Sequence, residues 1–335
     1  MSFGIDIGSA RVTQLTEMAH WPFAARDLFP LISDAEVEAG TRLLAEPFVD
    51  RPSGDLVLAI HTYVVEIGGR TIVVDTGNGN DKNRPNLLPH HMFDTDYLTR
   101  FVATGIGIDT VDAVISTHLH PDHCGWNTTL DSGVWKPTFP DATYIFGRIE
   151  LDGLEQLAAS GAGEGVVSDL VKTYEDSVRP VLDEASWVAV DDGHVLAEHE
   201  GTAVVVRVAP GHTGGHLTVE IQTPDGGAVI SGDVIHHPIQ FLFPDLCQGG
   251  DADPAVSMRT RNALLDQCAR EGLLLLPAHF PVDEPITVGF NAIGFPEAAS
   301  SLLPGSLPFI SGGLKGPACS QLSRAGSRCR DVPSV

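Results

Sequence analysis

The stretch that decides the fold is THLHPDHCG, residues 117–125, which directly follows the apolar run VDAVIS at 111–116. The apolar run is typical of a buried strand, and it leads into four side chains of metal-binding type: His118, His120, Asp122 and His123. The end of a strand holds such side chains at the rim of a sheet. Because imidazole and carboxylate groups together suit zinc, and also iron, manganese or cobalt, this segment predicts a metal site.

Three later residues of the same types also follow apolar strands. His212 comes after AVVVRV (203–208), Asp233 comes after AVIS (228–231), and His279 comes after LLLL (273–276). Each lies beside Gly, Pro or Ala, where the backbone is expected to turn sharply. A lone histidine is more often a hydrogen-bonded structural residue. A dense motif followed by single candidates at three strand ends instead favours one shared metal site.

Strands and helices alternate in both halves of the chain. LVLAIHTYVVEI (56–67) and RTIVVD (70–75) predict a hairpin that turns at Gly68 and Gly69. A helix is predicted over 253–271, with a capping Asp at its start and Gly272 after its end. This alternation indicates an α/β protein with two packed sheets and helices outside them, a four-layer αβ/βα sandwich. Residues 80–93 lack periodicity, which predicts a long loop, and loops of that length are often functional lids.

The chain has 335 residues, which is ample for one large core. We expect a single domain over 1–296. The remaining segment, 297–335, is rich in Ser, Gly and Pro and shows no clear period. It is predicted to be a poorly ordered tail.

Composition narrows the choice of partners. The formal net charge is −24, which disfavours nucleic acid and favours a neutral or cationic small molecule, although an acidic surface also serves solubility alone. No run of eighteen apolar residues predicts a membrane span, and the N-terminus does not resemble a secretory signal. The five cysteines match no disulfide framework. These features predict a cytoplasmic protein with reduced thiols and no membrane partner.

The complete pattern resembles the metallo-β-lactamase superfamily of hydrolases, whose hallmark is His-x-His-x-Asp-His followed by a distant His, Asp and His. The resemblance covers about residues 57–280 and implies the four-layer sandwich and two divalent metal ions, with zinc the first choice. The Asp75 turn, DTGNG, resembles the early Asp-x-Gly turn of the family, which supports the site from behind. The resemblance assigns the first ion to His118, His120 and His212, the second to Asp122, His123 and His279, and both to a bridging Asp233.

The resemblance also implies a reaction. A hydroxide that bridges the two ions would attack the carbonyl or phosphoryl centre of a small neutral lactone, ester or organophosphate. Asp122 is expected to be catalytic as well as a ligand, because its second oxygen can orient the nucleophile or carry its proton. Relatives commonly form dimers, so a homodimer is an expectation too.

The segment after Asp233, VIHHPIQF (234–241), bears on the branch of the family. Acyl-homoserine lactonases carry a Tyr three residues past the bridging Asp, where this chain has His236. The segment is more similar to the methyl parathion hydrolase branch, which acts on organophosphates and often on esters and lactones. His236 is therefore a candidate catalytic residue that donates a hydrogen bond to the substrate or leaving group. The alternative is a histidine packed behind the ligands.

Two other functions fit the same scaffold. One is an iron-dependent redox enzyme, although the complete second set of ligands argues against a site with a single iron. The other is a non-catalytic metal-binding protein, although an intact set of ligands is not typical of a degenerate site.

Overall fold

The computed structural model describes residues 2–161, 163–291 and 296–298. Within them lie sixteen strands, which are numbered in chain order: β1 (Ser2–Ile7), β2 (Ala10–Phe23), β3 (Leu56–Ile67), β4 (Arg70–Val74), β5 (Ala113–Ile115), β6 (Thr128–Asp131), β7 (Val134–Pro137), β8 (Thr143–Gly147), β9 (Ser186–Val190), β10 (Val195–His199), β11 (Thr202–Val208), β12 (Leu217–Thr223), β13 (Gly226–Ile230), β14 (Leu274–Leu276), β15 (Ile286–Phe290) and β16 (Pro296–Ala298).

The same residues form nine α-helices, together with short 3-10 turns: α1 (Ala25–Leu28), α2 (Asp34–Leu43), α3 (Tyr97–Ala103), α4 (Pro121–Cys124), α5 (Arg148–Ala159), α6 (Gly165–Thr173), α7 (Arg179–Glu184), α8 (Ile239–Leu242) and α9 (Pro254–Glu271). A π-helical turn, Tyr174–Val178, joins α6 to α7. Helix α9 begins as predicted, because the Asp253 side chain accepts a hydrogen bond from the Val256 amide, and it ends at Gly272 in the left-handed conformation. None of the described helices is both long and apolar enough to cross a bilayer.

Two seven-stranded sheets carry the fold. The first has the order β1-β2-β3-β4-β5-β8-β9, and the second has the order β10-β11-β12-β13-β14-β15-β16. In the first sheet β4, β5, β8 and β9 run parallel, and in the second β13 and β14 run parallel. Parallel neighbours end at the same edge of a sheet, so the loops after β4 and β5, and those after β13 and β14, lie close together.

Three apolar clusters define the layers. One joins the facing sides of the two sheets and includes Val65 and Ile115 from the first sheet and Val219 and Leu276 from the second. A second packs α3, α5 and α7 on the outer side of the first sheet. A third packs α2, α8 and α9 on the outer side of the second sheet. The predicted α/β four-layer sandwich is therefore confirmed.

The N-terminal hairpin of β1 and β2 was not predicted. β2 is fourteen residues long and pairs with β3, but the register shifts between Thr16 and Met18 and again between Met18 and Trp21. Such bulges interrupt the alternation of apolar and polar residues by which a strand is recognised. The irregular part of β2 brings Glu17 and Trp21 to the end of the sandwich that holds the candidate site.

The loop over 80–93 is fixed to the domain, which differs from the lid predicted there. Arg84 is fully buried and makes two hydrogen bonds of 2.7 Å to the Asp176 carboxylate in the π-helical turn. Asp169 accepts hydrogen bonds from the backbone amides of Asn86 and Leu87, at 2.6 and 2.9 Å. Buried ionic and backbone contacts of this kind tie the loop to α6 and the π-helical turn, so it forms one side of the site.

The predicted tail lies outside the described residues except for Glu297 and Ala298, which belong to β16.

Candidate metal centre

All seven predicted ligands lie in the segments that follow strands at one edge of the two sheets, and two of them, Asp122 and His123, belong to the short helix α4. His118, His120, Asp122 and His123 follow β5, and the later three follow β11, β13 and β14. Their side-chain atoms form two groups, within each of which the candidate ligand atoms lie within 4.8 Å of one another. The first group is His118, His120, His212 and Asp233, and the second is Asp122, His123 and His279.

The first group converges on one carboxylate oxygen. Nε2 of His212 lies 3.0 Å from Nδ1 of His120 and 3.2 Å from Oδ2 of Asp233. Nε2 of His118 lies 3.7 Å from the same oxygen. Three imidazole nitrogens and a carboxylate oxygen thus surround a common point, as the ligands of a tetrahedral site do.

The second group converges on the other oxygen of the same carboxylate. Oδ1 of Asp233 lies 3.1 Å from Nε2 of His123 and 2.9 Å from Nε2 of His279. Oδ2 of Asp122 completes this group, at 3.6 Å from the His123 nitrogen and 3.7 Å from the His279 nitrogen. Asp233 therefore presents one oxygen to each group.

The nitrogen and oxygen atoms of the two groups are arranged as ligands of a cation and not as hydrogen-bond partners of one another. Nε2 of His118, Nε2 of His123 and Oδ1 of Asp233 are buried and have no hydrogen-bond partner among the described residues. Buried polar atoms are normally paired, since an unpaired one costs about 1–3 kcal/mol. Several such atoms that approach one another without hydrogen-bond geometry are typical of ligands around a metal ion.

A sequence profile of the metallo-β-lactamase superfamily matches residues 56–279. The chain belongs to this superfamily. The match spans most of the described residues and begins and ends on the strands and loops that carry the site. No curated protein sequence matches the chain.

Solved structures show the same metallo-β-lactamase fold. A hydrolase called AbOPH, of the β-lactamase superfamily, aligns with a TM-score of 0.69 at 22% identity, over 89% of this chain and 96% of that one. AidC, a dizinc quorum-quenching lactonase in complex with a hexanoyl-homoserine product, aligns with a TM-score of 0.69 at 20% identity, over 89% and 96%. A probable metal-dependent hydrolase from Staphylococcus aureus aligns with a TM-score of 0.68 at 14% identity, over 90% and 100%.

Hydrogen bonds on the far side of the rings orient the metallo-β-lactamase histidines. Nδ1 of His123 lies 2.9 Å from Oδ2 of Asp75, and Nδ1 of His279 lies 2.9 Å from the Ala59 carbonyl oxygen. Both contacts leave Nε2 as the free ring nitrogen. Asp75 thus orients a candidate ligand, His123, without belonging to either ligand group, which agrees with the supporting role predicted for its turn. Asp75 also accepts a hydrogen bond from the Thr117 amide at 2.7 Å, which holds the start of the motif.

Two supporting carboxylates were not found from the sequence. Oδ1 of Asp251 lies 2.9 Å from Nδ1 of His212. Glu150, at the start of α5, accepts hydrogen bonds from the Leu119 amide at 3.1 Å and from Thr213 Oγ1 at 2.7 Å, so it ties the motif to the His212 loop. Neither residue stands at a spacing that marks a metal site, and only the folded chain brings them to it.

A close contact with the backbone of Asn78 explains why the motif ends in a glycine, Gly125. A Cβ atom on Gly125 would lie 1.8 Å from the Asn78 carbonyl oxygen, a distance that no side chain allows. The motif can therefore pack directly against the Asp75 turn only with glycine at this position.

The charges of the site suit a divalent cation. Burial alone would raise the pKa of Asp122, but the neighbouring His123, His90 and His279 lower it to about 2. Burial and the nearby His212 lower the pKa of His120 to about 3. Burial would lower the pKa of His123, His212 and His279 as well, but the nearby Asp233 carboxylate raises it, so a metal ion that binds to these rings displaces protons from them.

His236 also lies inside the cluster. Its Nε2 atom is 3.1 Å from Oδ2 of Asp233, and this buried nitrogen has no hydrogen-bond partner among the described residues. The His236 ring stacks on His279 with 5.7 Å between centroids. Gln240 fixes the backbone here, because its Oε1 accepts a hydrogen bond of 2.8 Å from the His236 amide. His236 therefore touches both ligand groups, through Asp233 and His279.

Proposed function

We propose that this protein is a dinuclear metal-dependent hydrolase of small neutral lactones, esters or organophosphates. The observation that carries the proposal is the position of Asp233, whose two oxygens lie 3.2 Å from the first group and 2.9 Å from the second. A carboxylate shared by two sets of ligands is typical of a bridging ligand. His118, His120 and His212 would hold one ion, and Asp122, His123 and His279 would hold the other.

The ligand chemistry supports divalent ions, and zinc is the proposed native metal. Imidazole and carboxylate ligands also accept manganese, cobalt or iron. When bound, such ions supply Lewis acidity and lower the pKa of water to near 7, which makes a nucleophile available at neutral pH.

Two side chains are proposed to act on the reacting atoms. Oδ2 of Asp122 faces the ligand nitrogens of its group, and Oδ1 remains available to orient the attacking water and take its proton. His236 is proposed to donate a hydrogen bond from Nε2 to the oxygen of the substrate on which negative charge develops. Burial lowers the pKa of His236, which keeps the ring neutral at physiological pH.

The substrate class is argued from charge and from related structures. A net charge of −24 disfavours anionic substrates, since the whole surface repels them. AidC and a second lactonase of the same fold were both solved with hexanoyl-homoserine products. A neutral lactone or ester is therefore the first class to test, and a phosphotriester is the second.

The test combines metal analysis with initial rates. Metal-free protein would be loaded with zinc, manganese or cobalt and given a homoserine lactone, an aliphatic lactone, an aryl ester and a phosphotriester. We expect turnover with about two bound ions per chain in the parent protein. His279→Ala should keep about one ion, and Asp233→Asn should lose most of both, because only Asp233 faces both groups.

The controls separate this proposal from its alternatives. Asp245→Asn removes an exposed carboxylate that belongs to neither ligand group and should change neither metal content nor rate. Fully loaded protein without turnover on any of these substrates would contradict the hydrolase. Oxygen consumption by iron-loaded protein would then point to a redox enzyme.

A further inference from the structure

A histidine of the fixed loop lies beside the second ligand group without belonging to it. Nδ1 of His90 lies 2.8 Å from Oδ1 of Asn78 and 4.0 Å from Oδ1 of Asp122. Both neighbours are oxygen acceptors, so the proton of the ring is on Nδ1, which donates to Asn78. In this tautomer of a neutral imidazole, Nε2 is a hydrogen-bond acceptor. No hydrogen bond among the described residues uses that nitrogen.

Asn78 brings a second unused polar atom to the same place. Its side chain is buried, and its Nδ2 atom has no hydrogen-bond partner among the described residues. The Asn78 backbone amide donates to Oε2 of Glu17 at 2.6 Å, which fixes the residue on the Asp75 turn. A buried amide N–H without a partner is costly, and a ligand that reaches the site is a direct explanation for it.

The His90 ring is held in position from two further sides. Trp21 of β2 packs edge-on against it, with 5.1 Å between ring centroids and 80° between planes. The loop that carries it is pinned by the buried pair of Arg84 and Asp176. The His90 side chain nevertheless keeps 15% of its surface exposed. A ring that is fixed, partly exposed and close to reacting groups is suited to contact a substrate, because little freedom is lost on binding.

We infer that His90 is a substrate-contacting residue that accepts a hydrogen bond at Nε2 from an N–H or O–H group next to the scissile bond. Asn78 positions the His90 ring through Oδ1 and leaves Nδ2 to donate to an acceptor of the same ligand. The inference rests on the proposed hydrolase function and adds a determinant of specificity to it. Substrates with a hydrogen-bond donor beside the reacting carbonyl gain from this contact, and phosphotriesters, which lack such a donor, do not.

A matched pair of substrates tests the contact. One is an N-hexanoyl homoserine lactone, and the other is its analogue with CH₂ in place of the amide N–H. The kcat/KM ratio of the two lactones would be measured for the zinc-loaded parent and for His90→Ala and Asn78→Ala. Asn83→Ala, which changes an exposed polar residue of the same loop, is the control. Bound zinc would be measured in every variant.

We expect the parent protein and Asn83→Ala to prefer the N–H substrate by about fivefold, the effect of one neutral hydrogen bond. The preference should disappear in both variants with bound zinc unchanged. His90→Ala slows only the N–H substrate, whereas Asn78→Ala, which also removes the Nδ2 donor, slows both substrates and the N–H substrate more. A preference that survives in His90→Ala would overturn the inference, although the proposed hydrolase activity would stand. The loss of one zinc ion from His90→Ala would also overturn it, because His90 would then be a metal ligand. A fully loaded parent that hydrolyses neither lactone would overturn the lactonase activity and this contact with it.

Discussion

Nδ1 of His212 lies 2.9 Å from Oδ1 of Asp251, a carboxylate 39 residues further along the chain. Asp251 is held in turn, because its Oδ2 atom accepts a hydrogen bond of 3.0 Å from the Gln248 amide. The contact turns Nε2 of His212 toward His120 and Asp233. It gives the first ligand group a support equivalent to the one that Asp75 gives to His123.

Replacing Asp251 should weaken the first group without removing a ligand. We expect Asp251→Asn to lower zinc affinity at that group by roughly 10- to 100-fold, the usual effect of losing a carboxylate that orients a ligating histidine. Competition with a chromophoric chelator would measure the affinity, and Asp245→Asn would serve as the control. Unchanged affinity in Asp251→Asn would show that the Asp251 contact does not orient His212 for binding.

His236 offers a test of the hydrogen bond proposed for the transition state. In His236→Phe an aromatic ring is kept but the donor at Nε2 is lost. We expect kcat to fall roughly 100-fold, as when one donor to a developing oxyanion is removed, while zinc content is unchanged. Steady-state rates and metal analysis on the same preparation would check both. A loss of zinc together with activity would instead identify His236 as a ligand.

Glu17 predicts a pH-dependent stability. Burial raises its pKa from 4.5 to about 7, although Asn78, Trp126 and Thr95 donate hydrogen bonds that lower it. The folded protein therefore favours protonated Glu17. The contribution of protonated Glu17 to the free energy of unfolding is fully present below pH 4.5, and it is lost as the pH rises to about 7. Relative to Glu17→Gln, the parent should lose up to roughly 3 kcal/mol over that range.

Urea unfolding of the metal-free proteins at pH 5 and pH 8 would measure this difference. Groups other than Glu17 titrate alike in the parent and in Glu17→Gln, so their effects cancel. Glu198→Gln, at an exposed position, is the control and should follow the parent at both pH values. A stability difference between the parent and Glu17→Gln that stays constant with pH would contradict the raised pKa.

The pair of Arg84 and Asp176 predicts a large loss of stability when it is broken. The Arg84 side chain is 1% exposed and that of Asp176 12%, so Asp176→Asn leaves a buried guanidinium without its counter-charge. We expect a loss of about 3–5 kcal/mol. The matched control is Asp183→Asn, whose partner Arg179 is 57% exposed, and it should cost less than about 1 kcal/mol. Equal losses of unfolding free energy in Asp176→Asn and Asp183→Asn would contradict the argument that burial makes the first pair more costly to break.

The ligands and the sandwich could be predicted because their signals are local. Each candidate ligand directly follows an apolar strand, and the motif at 117–125 holds four of them. The supporting contacts join distant parts of the chain. Arg84 and Asp176 are 92 residues apart, and Asp251 follows a glycine-rich stretch without a recognisable spacing. Glu17 and Trp21 could not be placed from the sequence either. The bulges in β2 break the alternation of apolar and polar residues by which a strand is recognised.

The division of the ligands between the two sheets has a consequence for how the molecule is assembled. His118 and His120 come from the first half, whereas His212 and Asp233 come from the second. The second group is likewise divided between Asp122 and His123 on one side and His279 on the other. A polypeptide severed in the turn between β9 and β10 would therefore leave neither fragment with a complete set. Each ion would need ligands from both fragments and would hold them together. Reassembly of the two fragments would therefore be measurable as zinc binding that neither fragment shows alone.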